Sequence, residues 1–206
     1  MTDIKQLVTG FKRFRKSYFG KDQQLFGELK RGQSPTTLVI ACSDSRVDPA
    51  IITDCEPGDL FVVRNVANLV PPYEKGTGLH GVSTALEFAV CTLKVENIIV
   101  LGHSQCGGIH ALMNGTTGEF VPGWVNISKR ARERVLAELP DATAAEQLSA
   151  CEEESILVSL ENLLTFPWLK ARVDSGDLTL HGWYFDIGTG ELVGYNAKSD
   201  VFEALA

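Results

Sequence analysis

The chain has 206 residues, of which 44% are hydrophobic and 22% are charged, and its formal net charge is −7. These values are typical of a globular protein with one domain, or with one core and an appended arm. The negative charge argues against nucleic-acid binding as the main activity. No apolar run approaches the ~20 residues that a membrane-spanning helix needs. We therefore expect neither a nucleic-acid partner nor a membrane partner.

The five cysteines form no C-x-x-C pair, and a chain of this length does not need disulfides for its stability. Basic residues near the N-terminus are not followed by the apolar segment of a secretory signal. Both observations favour reduced thiols and a cytoplasmic location.

The N-terminal part predicts a helical arm over residues 3–31, interrupted near Gly20. Its aromatic and basic residues favour packing of this arm on a second subunit. We expect a single domain over residues 1–206, in which residues 1–31 form the arm.

Apolar patterning predicts the next elements in chain order. TTLVIAC (36–42) and DLFVVRNV (59–66) are rich in β-branched residues and predict buried strands. The helical spacing of apolar residues over 81–93 predicts a helix. NIIVLG (97–102) is again a continuous apolar run and predicts a third strand.

The remaining chain predicts three helices and a late strand pair. The helices are expected over 106–113, 123–138 and 144–164, and LTLHGWYFDI (178–187) pairs with ELVGY (191–195) through a glycine-containing turn. Strands that alternate with helices indicate an α/β fold, and continuous apolar strands indicate burial on both faces. We expect a mostly parallel central β-sheet flanked by helices.

Two motifs follow the ends of predicted strands. Cys42 ends the first strand and opens CSDSR, whereas His103 and Cys106 lie in GHSQCGG after the third strand. Ligands of open α/β sheets bind beyond the carboxyl ends of strands. If the two strands are neighbours, these residues meet. Two thiolates and one imidazole would form a neutral zinc site with one open position, which is the arrangement of catalytic zinc centres.

Three other interpretations compete with this site. GHSQC is close to the nucleophile elbow G-x-S-x-G, which would make Ser104 a nucleophile, but only His110 and His181 follow as bases. Arg46 follows Cys42 by four residues, which is closer than the loop of a cysteine-dependent phosphatase. A purely structural zinc site needs four ligands and does not explain the acid–base pair Asp44 and Arg46.

The motifs CSDSR, RNVAN and GHSQCGG resemble, in order and spacing, the signature of the β-class carbonic anhydrases. SLENLLTFPWL (159–169) is similar to the plant-like branch of that family, and the resemblance covers most of the chain from GQSP (32–35) onwards. It implies reversible hydration of CO₂ to bicarbonate and a proton by zinc-bound hydroxide. It also implies one Zn²⁺ per subunit, with Cys42, His103 and Cys106 as its ligands.

The resemblance also assigns the residues around the metal. Asp44 and Arg46 would form the catalytic dyad. The substrate site would be formed by five residues at a dimer interface: Gln33, Phe61, Val66, Phe88 and Gly107. A homodimer, which can assemble into a tetramer or a larger oligomer, is therefore expected.

Two departures from the family pattern bear on regulation. The bicarbonate-regulated branch carries Trp where this chain has Val39, and Tyr where it has Phe185. We therefore expect a non-allosteric enzyme without a bicarbonate-driven switch. The alternative activity on the same scaffold is hydrolysis of carbonyl sulfide or carbon disulfide, because the zinc ligands are common to both reactions.

Overall fold

The computed structural model describes residues 3–20, 24–76, 78 and 80–205. The chain divides into two compact units, Met1–Ser34 and Pro35–Ala206. A single domain over 1–206, with an arm over 1–31, stays a prediction.

The first unit contains α1 (Ile4–Tyr18) and α2 (Gln24–Leu29). The two helices agree with the helical prediction over 3–31 and with its interruption near Gly20, and residues 21–23 lie outside the described residues. α1 has no buried residue. The aromatic side chains of α1 and of Phe19, which directly follows it, contact one another and a ring of α2. These rings belong to Phe11, Phe14, Tyr18, Phe19 and Phe26.

The second unit contains a six-stranded sheet with the order β2-β1-β3-β4-β5-β6. The first four strands in this order run parallel, and β5 and β6 are antiparallel to their neighbours. The prediction of a mostly parallel sheet is therefore confirmed. The strands are β1 (Thr37–Cys42), β2 (Leu60–Asn65), β3 (Asn97–His103), β4 (Thr179–Phe185), β5 (Leu192–Asn196) and β6 (Val201–Ala204).

Burial of both faces explains the continuous apolar runs of β1 and β3. Leu38 and Ile40 face a large core together with Ile98 and Val100. The alternate residues of the same strands form a smaller cluster on the opposite face, which contains Val39, Ala41, Ile99 and Leu101. Because side chains alternate along a strand, both sets must be apolar when both faces are covered.

Helices connect the strands of the second unit. They are α3 (Pro49–Ile52), α4 (Gly81–Glu87), α5 (Gly107–Asn114), α6 (Val121–Val125), α7 (Lys129–Glu138), α8 (Ala144–Leu163) and α9 (Pro167–Asp174). The helices predicted over 106–113 and 144–164 are confirmed as α5 and α8. No helix in the described part of the chain has the length and apolarity to cross a membrane.

Two predicted helices differ from the structure in detail, and α9 was not predicted. The helix expected over 81–93 changes at Phe88 into a π-helical segment, Phe88–Leu93. The helix expected over 123–138 is divided between α6 and α7 by a 3-10 turn, Asn126–Ser128. The sequence interpretation missed α9, which begins at Pro167, a residue whose fixed φ suits the first helical turn.

Candidate metal centre

The three candidate ligands meet at the carboxyl edge of the sheet. Cys42 is the last residue of β1 and His103 is the last residue of β3, and these strands are adjacent. Cys106 follows after a tight turn and caps the N-terminus of α5. This turn needs Gln105 in the left-handed region at φ 58°. The expectation that neighbouring strands bring these residues together is confirmed.

The donor atoms of this cluster fit a metal ion. The two sulfurs and a ring nitrogen all lie within 4.8 Å of one another, and all three residues are buried. The ring nitrogen Nδ1 of His103 lies 2.9 Å from the carbonyl oxygen of Ser104. Its Nε2 is buried and has no hydrogen-bond partner among the described residues. A buried polar atom without a partner is costly, and sulfur and imidazole nitrogen are preferred zinc donors. The residues therefore fit Zn²⁺.

The two thiols influence each other strongly, because their sulfurs are 3.9 Å apart. The hydrogen bond with Cys106 lowers the pKa of Cys42 to about 4, against the opposing effect of burial. The same contact raises the pKa of Cys106, since a second negative charge would lie beside the first, and burial adds to this shift. A cation between the sulfurs would remove the conflict by stabilising both thiolates.

Backbone amides support both sulfurs. The amide of Asp44 donates to the sulfur of Cys42 at 3.4 Å. The amides of Gly108 and Ile109 favour the thiolate of Cys106. These are the second and third amides of α5, which point towards the N-cap residue.

The candidate dyad, Asp44 and Arg46, is formed at the mouth of this cluster. Oδ1 of Asp44 accepts the backbone amide and the Nε–H of Arg46, both at 2.9 Å, and Oδ2 accepts its Nη2–H at 2.7 Å. These hydrogen bonds hold the pKa of Asp44 well below its usual range. The carboxylate is thus ionised and bound to Arg46.

A second arginine, Arg64, organises the loop that carries the dyad. Its guanidinium donates to the carbonyl oxygens of Cys42, Asp44 and Val47 and to the carboxylate of Asp48. No role in the site was predicted for Arg64. Its position in RNVAN, at the end of a strand beside β1, was the available signal.

A buried carboxylate behind the cluster was also missed. Glu152 of α8 is 4% exposed. It accepts the amide of Cys106 at 2.8 Å and the phenolic O–H of Tyr184 at 2.9 Å. Burial raises its pKa. In the sequence Glu152 shares a helical face with Ile156 and Leu163, and a glutamate on an apolar face was the signal that could have identified it.

The alternative role of Ser104 as a nucleophile finds no support in its surroundings. Ser104 is buried, and its Oγ accepts the amide of Ile187 at 2.8 Å. His181, one of the two candidate bases, contacts Asn97 at the other end of β3. His110 is exposed on α5. Ser104 is a turn residue between two ligands.

The remaining candidate residues are distributed differently. Phe61 and Phe88 stack with ring centroids 5.8 Å apart. Phe61 pairs with Leu38, four residues before Cys42 on β1, and four strand residues correspond to about 13 Å. Val66 is 40% exposed.

Two further candidates, Gly107 and Gln33, complete the predicted substrate site. Gly107 is exposed at the start of α5. Gln33 is exposed and lies in the first unit. One chain therefore brings together the ligands and the dyad, but it does not place Phe61 and Phe88 beside them.

Comparison with known proteins addresses the family directly. A family model described as carbonic anhydrase matches residues 37–192. Beta carbonic anhydrase 5, chloroplastic, of Arabidopsis thaliana is 45% identical over 188 residues, which cover 89% of this chain and 61% of that protein. The chain belongs to the β-class carbonic anhydrases. It spans less than two thirds of the length of that plant carbonic anhydrase.

Solved β-carbonic anhydrases share the whole fold. The structure of the β-carbonic anhydrase CcaA matches with a TM-score of 0.92 and 38% identity, over 98% of this chain and 100% of that one. A structure described among two tetrameric β-carbonic anhydrases from the ascomycete Sordaria macrospora matches with a TM-score of 0.81 and 28% identity, over 97% and 95% of the two chains.

Proposed function

We propose that this chain catalyses the reversible hydration of CO₂ to bicarbonate and a proton, with one Zn²⁺ held by Cys42, His103 and Cys106. The observation that carries the proposal is the buried set of two sulfurs and one unpaired imidazole nitrogen beside an ionised aspartate. Three protein donors leave one coordination position for reaction, as catalytic zinc sites do.

The metal and the dyad divide the chemistry. A bound zinc ion supplies Lewis acidity, which lowers the pKa of water towards neutrality. Asp44 supplies orientation. Its Oδ1 accepts two hydrogen bonds from Arg46, whereas its Oδ2 accepts one. A carboxylate oxygen can accept two hydrogen bonds. Oδ2 therefore keeps one acceptor position for the water that adds to CO₂. Arg46 keeps the carboxylate in place through its planar, two-pronged contact.

The apolar part of the substrate pocket is proposed to come from a second subunit. Phe61 lies about 13 Å along the sheet from the level of Cys42. Phe88 and Val66 expose 43% and 40% of their surface. They lie on or near β2, the edge strand of the sheet, which has free pairing groups on one side. A homodimer that pairs at this edge would bring Phe61 and Phe88 of one subunit towards the metal ligands of the other, whereas Val66 adjoins Gly108 of its own chain. Phe61, Val66 and Phe88 are then proposed to line a shared pocket. Gln33 and Gly107 complete the proposed substrate site.

Two further proposals concern assembly beyond the dimer and the cellular location. A related structure is described as tetrameric, which supports a tetramer or larger oligomer of this chain. A cytoplasmic location stays a prediction, since one relative is named as chloroplastic.

Two further predictions, one about regulation and one about the substrate, belong to the same proposal. Val39 and Phe185, together with an Arg64 whose guanidinium already has four acceptors, favour an enzyme without a bicarbonate switch. Cooperative inhibition by bicarbonate would contradict it. The relatives are named for carbonic anhydrase activity, which favours CO₂ over carbonyl sulfide or carbon disulfide.

Stopped-flow CO₂ hydration on the zinc-loaded protein at mildly alkaline pH tests the activity. We expect fast hydration that is lost after chelation and returns with zinc. Carbonyl sulfide is assayed in parallel. A zinc-loaded protein that hydrolyses carbonyl sulfide but does not hydrate CO₂ would replace the proposed substrate.

A further inference from the structure

The buried carboxylate of Glu152 and the guanidinium of Arg46 contact the same peptide group from opposite sides. That group joins Gln105 to Cys106. Its N–H, on Cys106, donates to Oε1 of Glu152 at 2.8 Å. Its carbonyl oxygen, on Gln105, accepts the Nη2–H of Arg46 at 3.1 Å. In a trans peptide the N–H and C=O point in opposite directions, so the two contacts fix the same orientation of one plane.

This orientation needs to be fixed because the turn around it is strained. Gln105 has a positive φ of 58°, a conformation that side-chain-bearing residues adopt at a cost. Rotation of the peptide plane would turn the carbonyl towards Glu152 and the N–H towards Arg46. Two oxygens would then face each other on one side, and two donors on the other. An acceptor at position 152 selects the observed orientation.

Glu152 is itself held firmly. Tyr184 on β4 donates to its Oε2 at 2.9 Å, and the carboxylate is 4% exposed. α8 and β4 therefore form a rigid support behind the turn. The contacts run in series from Tyr184 to Glu152, through the peptide, to Arg46 and then to Asp44.

We propose that Glu152 is a positioning residue for the dyad. As a hydrogen-bond acceptor it fixes the Gln105–Cys106 peptide, and the carbonyl of that peptide holds Arg46 on Asp44. Glu152 acts through Arg46 and does not touch the substrate. This role deepens the proposed CO₂ hydration and rests on it.

The test compares three substitutions on α8. Glu152→Met removes the acceptor and keeps most of the volume, Glu152→Gln keeps an acceptor oxygen for the Cys106 amide, and Glu153→Met is the matched control on the neighbouring residue. Substitution of a residue that hydrogen-bonds a metal ligand commonly lowers activity by about 10- to 100-fold, and we expect a loss in kcat/KM of this size for E152M. E152Q should regain most of what E152M loses, and E153M should match the wild type.

A double-mutant cycle separates positioning from a general structural effect. Because Glu152 acts through Arg46, E152M should reduce kcat/KM by less than about threefold when Arg46→Ala is already present. Visible absorption of the cobalt(II)-substituted proteins gives a readout that does not depend on turnover. The spectrum of E152M should shift towards that of R46A, since Asp44 is released in both, and E152Q should not show this shift.

The outcomes that overturn the proposal are distinct from failure of the activity. Equal losses from E152M with and without Arg46, or a loss in E152Q equal to that in E152M, would each refute positioning through the peptide. If E152M does not fold, Tyr184→Phe replaces it, with a smaller loss in the same direction that must also shrink in the R46A background. If the wild type does not hydrate CO₂, the proposed function fails, and the cobalt spectra still decide whether Glu152 controls Asp44.

Discussion

The polar and apolar halves of the candidate site are built in opposite ways. The metal ligands and the dyad converge within one chain. Arg64 donates to the carbonyl oxygen of Cys42, a backbone amide donates to the sulfur of Cys42, and Glu152 accepts the amide of Cys106. Phe61 and Phe88 lie away from the metal ligands, and both side chains are partly exposed. Hydrogen bonds need short distances and fixed directions, and in the polar half a single chain supplies them. Apolar contact is less directional, and a second subunit can supply it.

Removal of a metal ligand should have the largest effect on the polar half of the site. Cys106→Ala deletes one of the three metal donors, and we expect metal affinity and activity to fall by more than about 100-fold. Substitution of a residue that only hydrogen-bonds a ligand can already cause a loss of about 100-fold. Zinc content and stopped-flow hydration measure the effect. Cys55→Ser, which lies outside the cluster, is the control. Normal zinc content in C106A would show that another donor completes the site.

Loss of the dyad should rank next. Arg46→Ala releases Asp44, and we expect a loss of at least ~3 kcal/mol in transition-state stabilisation, within the range of single electrostatic groups in active sites. The value follows from kcat/KM relative to the wild type. Arg132→Ala on the exposed side of α7 removes an equal charge and should have no effect. Near-normal turnover in R46A would refute the dyad.

Mixing two inactive variants tests whether the halves come from different subunits. Phe88→Asp should damage the apolar half, and R46A damages the polar half. In an equal mixture, half of the chains enter mixed dimers with one intact pocket out of two, so about a quarter of the wild-type activity should return. The proteins are co-refolded or co-expressed with separate tags and assayed together. No recovery, with mixed dimers isolated, would place Phe88 in the pocket of its own chain.

The smallest effect is expected where the two halves touch. A Cβ on Gly108 would lie 2.8 Å from side-chain atoms of Val66 and Ala67. Gly108→Ala should therefore lower the free energy of unfolding by about 1–3 kcal/mol through overpacking. Gly123→Ala, where nothing lies within 4 Å, is the control and should not destabilise. Thermal unfolding of both variants gives the comparison.

The spacing of apolar residues along the chain explains why much of the fold could be predicted. The continuous apolar runs at 36–42 and 97–102 predict buried strands. The site was predicted on the condition that these strands are neighbours, and the structure pairs them. α9 was missed because its apolar residues follow closely on α8, and β6 because only four residues form it. Such short elements depend on tertiary contacts more than on local pattern.

The supporting residues of the site were harder to predict for a different reason. Cys42, His103 and Cys106 are identified by residue type and spacing. Glu152 stands in a run of three glutamates, and only its direction on α8 separates it from Glu153. That direction becomes significant only when the Cys106 amide is placed against it. A glutamate on an apolar helix face indicates a buried carboxylate, but a single sequence does not show which distant group this carboxylate contacts.

The cluster between β1 and β3 also has a consequence for how the molecule resists unfolding. Its two cysteines are 64 residues apart in the chain, so a metal held by both closes a long loop between the ends of neighbouring strands. A covalent cross-link over a loop of this length would stabilise the native state by about 4 kcal/mol through the entropy of the unfolded chain. A coordinated metal ion would act as a reversible cross-link, and its stabilisation of the native state would depend on the free metal concentration. The metal ion that is needed for activity would then also raise the free energy of unfolding.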